Sequence, residues 1–155
     1  MNFSHPLWLV GFRPFFTLAM LAGIALPLLW ALVFSGVVAP APAPFSLFQW
    51  HAHEMFFGFG WAVLGGFLLT ASKNWVNVRG HHGWSLAALA LAWCLERLVL
   101  WFAGSLPFAA LYLGSQLFLL GIVLMLLWTL LRYRQKDSYR IGNLFFLVML
   151  PAFLV

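Results

Sequence analysis

Charge is what this sequence has least of. Only 7% of its 155 residues are Asp, Glu, Lys or Arg, against about 25% in soluble globular domains, so a water-facing surface cannot be built from it. Acid is scarcest, with Glu54, Glu96 and Asp137 the three carboxylate side chains. Paired carboxylates, a phosphate loop and a nucleophile elbow are all missing, which leaves ordinary hydrolytic and kinase chemistry without support, and no catalytic residue is assigned. The single cysteine, Cys94, excludes an internal disulfide. It lies inside an apolar segment without a Cys-x-x-Cys partner, where packing is the simpler role and a soft copper ligand the alternative.

What is present is apolar: 65% hydrophobic residues, 19% of all residues being aromatic. Five apolar segments can be marked out, at about 14–38, 50–71, 84–103, 107–131 and 141–155. Four reach the ~20 residues that a helix needs to cross the hydrocarbon, and the fifth falls short. The expected fold is therefore all-α, a polytopic transmembrane helical bundle with four full spans plus a truncated fifth. Residues 1–155 are read as a single transmembrane domain, the N-terminal part of a longer protein, with the remaining spans or a second copy covering the shortened helix. The first run is too long for a signal peptide and is read as a retained span.

The net charge of +5 rests on eight basic residues. Most of them lie between the apolar segments, as orientation signals rather than a nucleic-acid footprint. Lys73 and Arg79 occupy one connection, and Arg132, Arg134, Lys136 and Arg140 another, whereas the Pro/Ala-rich turn at 39–49 and the turn at 104–106 are neutral. The positive-inside rule places the N-terminus and both basic loops in the cytoplasm, with membrane lipids as partners and no nucleic acid.

Chemistry concentrates at Trp50-His51-Ala52-His53-Glu54-Met55. Ionisable groups in hydrocarbon are costly enough to face the protein interior and to have a partner or a task. On a regular helix at 100° per residue, Met55, Gly58, Ala62, Gly65 and Gly66 share the face of His51, a small-residue stripe that admits a close helix or a flat ligand. His53 points nearly the opposite way, along Phe56, Phe57 and Phe67. The two imidazoles then serve two centres, or one centre and its support, rather than one metal. His51 and His53 are the candidate metal ligands, Glu54 and Met55 the supporting groups. In the third segment Arg97 follows Glu96; it either pairs with Glu54 across helices or binds an anionic group. Gly80-His81-His82-Gly83 reads most simply as a solvated turn.

Leu7-Trp8-Leu9-Val10-Gly11-Phe12-Arg13-Pro14-Phe15-Phe16, then Trp50 to Phe59, then Gly66-Phe67-Leu68-Leu69-Thr70-Ala71 with Asn74-Trp75 resemble the N-terminal signature of the NnrS family. The resemblance implies an inner-membrane protein that binds haem, of the b type, and copper, and that acts in the response to nitric oxide. It implies His51 and His53 as ligands, with Glu54 and Arg97 as supporting groups, a porphyrin propionate being an example of the anion that Arg97 would bind. Relatives carry a Gly-Arg pair where this chain has Glu96-Arg97, so no role passes to Glu96. Two other readings stand beside it: a transporter or proton-handling component using His53, Glu54 and Arg97 without a cofactor, and a non-catalytic scaffold subunit. Whether the protein is an enzyme is left open.

Overall fold

A computed structural model describes residues 5–39 and 46–137 and, beyond these, 139, 141, 143, 145, 146 and 149. Among the described residues the regular structure is helical, with no strand. Helix α1 spans Phe12–Phe34 and continues through Pro27. It stops short of the expected end at 38 because Gly36, at φ 76°, turns the chain out. The Val37 amide then donates to the Leu32 carbonyl at 3.0 Å and the Gly36 amide to that of Val33 at 3.1 Å, which closes the helix in a Schellman motif.

Helix α2 covers Leu47–Trp75, 29 residues against the expected 50–71. Its earlier start follows from a capping box: the Gln49 amide donates to the Ser46 hydroxyl at 3.3 Å, and the Ser46 amide to the Gln49 side chain at 2.8 Å. Its later end follows from Asn77, whose φ of 50° supplies the left-handed position of a second Schellman motif, with the Val78 amide on the Lys73 carbonyl at 3.0 Å. Inside α2 the stretch Glu54–Gly60 is a π-helix, and the Trp61 amide donates to the Phe56 carbonyl five residues back. A π turn adds one residue to the α repeat. The face projected from His51 at a constant angle is therefore out of phase beyond Glu54.

Helix α3 spans Trp84–Trp101. The expected fourth span, 107–131, is not one helix: α4, Phe108–Ser115, and α5, Leu117–Arg132, meet at Gln116 with a bend of 43°. Gly114-Ser115-Gln116 interrupts the apolar run there. Among the described residues three helices, α1, α2 and α3, are long and apolar enough to cross a membrane, and α4 with α5 passes the same test as a broken pair. The fifth segment, 141–155, lies outside the described residues except at scattered positions.

Helix α2 is central. The core gathers Phe15 of α1, Trp61, Ala62 and Leu69 of α2, Leu86 and Leu89 of α3, and Phe118, Ile122 and Leu126 of α5. The small-residue stripe is consumed by this packing: a methyl at Gly66 would meet the Phe15 Cβ at 2.9 Å, and one at Gly65 would strike Ile122. Gly65 and Gly66 thus admit α5 and α1, and close helix approach, not room for a flat ligand, is what the stripe provides at these positions. Outward-facing Met20, Ile24, Leu91, Leu98 and Leu124 are exposed, as lipid contact allows.

Candidate functional site

The polar residues of the apolar segments converge where the π turn of α2 meets α3 and the start of α5. Glu54 opens the π turn and is buried, 1% exposed. Arg97 of α3 lies against it, Nε to Oε2 at 3.0 Å. The Arg97 Nη2 donates to Glu96 Oε1 at 2.6 Å, and the other Glu96 oxygen accepts the Phe118 amide at 3.3 Å. Phe118 lies in the first turn of α5, where backbone amides lack helical partners. The Glu96 carboxylate therefore caps a helix that begins within an apolar run, beside the positive end of its dipole. Two carboxylates face one guanidinium, which leaves one negative charge uncompensated when both are ionised.

Gly58 sets this geometry. A Cβ there would lie 2.6 Å from Arg97 Nη1 and 3.0 Å from Glu54 Oε2, so only glycine lets the guanidinium lie flat on α2. The Gly58 carbonyl accepts the Trp93 indole N–H at 2.9 Å, and the Trp93 ring stands 5.3 Å from the Arg97 guanidinium carbon, within cation–π range. Arg97 is thereby held by carboxylates along its edges and an aromatic ring nearby.

Both histidines flank this network. The His51 ring packs on Trp30 of α1 at 4.7 Å, and the His53 ring stacks on Phe57 at 4.7 Å. Each is half-buried, and the Nδ1 of each is buried with no hydrogen-bond partner. His53 Nδ1 approaches Glu54 Oε1 at 3.8 Å, too far for a hydrogen bond. The rings rest on different neighbours, Trp30 of α1 for His51 and Phe57 of α2 for His53. No group of three or more His, Cys, Asp or Glu side chains gathers around one point among the described residues. Met55 is half-buried.

Of the expected site residues, the fold brings together Glu54 and Arg97 with His53 at their edge, and sets His51 against α1. The Arg97–Glu54 ion pair, one of the two expectations for Arg97, is present. Sequence reasoning missed Glu96, which closes the network onto α5; a second acid inside an apolar run was the available signal. It missed the π turn altogether. The break at Gln116 was signalled by Gly114-Ser115-Gln116.

His81, expected in a solvated turn, is instead half-buried, its Nε2 at 3.0 Å from the Met125 carbonyl and 2.9 Å from the Thr129 hydroxyl. Burial pushes its pKa below the ordinary histidine value, with the Met125 carbonyl opposing and His82 adding to the shift. His82 is exposed and folds back on the Gly80 carbonyl at 2.9 Å.

The family described as NnrS protein matches residues 6–155. The chain belongs to the NnrS family. Membership supports a membrane protein associated with the nitric-oxide response, in accord with the apolar helices. No curated protein and no solved structure matches the chain. The Glu54–Arg97–Glu96 network and the two bare imidazoles are thus features of an NnrS-family chain, and the NnrS match takes in every residue of that site.

Proposed function

We propose that this chain is a bacterial inner-membrane protein that binds b-type haem, with copper as a second metal, and takes part in relief of nitric-oxide stress. Its N-terminus and basic loops face the cytoplasm, and α4 and α5 together form a fourth span. The observation that carries the reading is the pair of imidazoles whose buried Nδ1 atoms have no partner beside a buried ion-pair network. Buried polar groups without a hydrogen bond are costly, and neutral imidazole suits both iron and copper. The donor set fits the group, with His51 and His53 as ligands.

Haem, when bound, supplies an iron centre able to take a diatomic ligand. The protein's own part is to hold and tune. Glu54 sits beside His53 as a nearby negative charge; Trp30 and Phe57 pack on the two imidazoles. Arg97 has committed Nε and Nη2 to carboxylates, and its buried Nη1, without a hydrogen bond, is the donor left for an anionic edge such as a propionate. The Met55 thioether is a further soft donor in the same turn.

Protein purified in mild detergent is expected to show a Soret band and to contain iron, and His51→Ala or His53→Ala to lose the band. Colourless, metal-free protein would refute the proposal. That outcome would favour the second reading, a proton-handling component, for which the buried cluster Glu54, Arg97, Glu96 with His53 at its edge is the specific support.

A further inference from the structure

The opposite end of the bundle carries a site that the haem reading does not use. A cavity of about 160 Å³ opens between the start of α1, the end of α2 and the loop that follows, lined by Leu9 and Leu69 on its apolar side and by Lys73, Asn74, Asn77 and Arg79 on its polar side. Among the described residues neither Lys73 nor Arg79 has a carboxylate partner: Glu54 and Glu96 are taken by Arg97, and Asp137 accepts the Asn143 amide at 2.8 and 3.0 Å.

The wall is fixed rather than loose. The Lys73 stem crosses Gly80, where a Cβ would stand 2.9 Å from that of Lys73, and His81, the next residue, is tied to α5 through Met125 and Thr129. Two cations and two amide side chains around a small cavity make a donor set for a phosphate. From the rim, Leu9, Phe12, Phe16 and Met20 follow at helical spacing, all exposed, at 43%, 40%, 38% and 69%. That stripe gives an acyl chain a track, which a free anion would not need.

We infer that this cavity binds the phosphate of an anionic glycerophospholipid, whose chains lie along α1. Basic pockets at the ends of membrane helices recognise headgroups in this manner. The purified full chain in neutral detergent tests it, by thermal unfolding and native mass spectrometry. Phosphatidylglycerol is expected to raise Tm and to remain bound as a discrete adduct, with phosphatidylcholine and inorganic phosphate each giving little. Lys73→Gln/Arg79→Gln is expected to weaken phosphatidylglycerol binding about tenfold or more, whereas Arg132→Gln/Arg134→Gln leaves it near wild type. The single substitutions replace the double one should it not fold. An equal shift from phosphatidylcholine, an equal shift from inorganic phosphate, or equal losses in the two double variants would each overturn the inference. All these readouts stand whether or not the protein carries haem.

Discussion

Arg97 and Lys73 are both cations borne by long apolar helices, yet one lies between two carboxylates inside the bundle and the other looks into a cavity at its edge. Around Arg97 every polar group belongs to the helices themselves, and the burial of the charges is offset by mutual attraction and by the capped amide of Phe118. Around Lys73 the cations are left for something outside the chain. Paired charge inside the apolar layer fixes how helices register; unpaired charge at the rim is free to recognise.

The sharpest way to break the comparison is to remove the inner cation. Arg97→Met strands Glu54 and Glu96 without a counter-charge and is expected to cost about 3–5 kcal/mol, read as a fall in thermal midpoint in detergent. Lys73→Met in the same assay should stay within about 0.5 kcal/mol, as for surface positions. Similar losses in both variants would erase the distinction. A smaller effect comes from Gly58→Ala, whose methyl collides with the guanidinium and the Glu54 carboxylate; overpacking of this kind costs about 1–3 kcal/mol. Gly36→Ala, at φ 76° with nothing near its Cβ position, measures backbone strain alone. Equal destabilisation by the two would argue that Gly58 has no role in seating Arg97.

The mildest effect concerns pH at the rim. His81 is held neutral by burial, below its ordinary value of 6.5, so the unfolded chain binds its proton first as pH falls. Its contribution to stability is complete above that value and is lost as pH drops through it toward the lower folded value. The thermal midpoint should therefore decline on acidification below 6.5, and His81→Gln should flatten the decline. An unchanged slope would mean that His81 does not couple the loop to α5.

The helices could be read from the sequence because apolar length and neutral or basic punctuation are local signals. Their ends could not, since capping decides them: Ser46 with Gln49, and Gly36 and Asn77 in left-handed positions, moved three boundaries. The Glu54–Arg97 pair is one of the two alternatives that the sequence offers, because opposite charges buried in neighbouring apolar helices lower each other's cost. Glu96 was passed over when judged against its motif; its partner is a backbone amide on another helix, which no side-chain pattern records. Within the π turn Gly58 is met by Arg97 and Trp93 from α3, tertiary contacts that periodicity within α2 does not contain. His81 looked solvated because its partners, Met125 and Thr129, are more than forty residues away.

The bend at Gln116 makes one helix depend on another. A helix that starts at a break in an apolar run exposes amides that lipid would not satisfy, and here the acceptor for one of them, Glu96, sits on α3. A chain lacking α3 is therefore expected to leave α5 without the acceptor that settles its first turn.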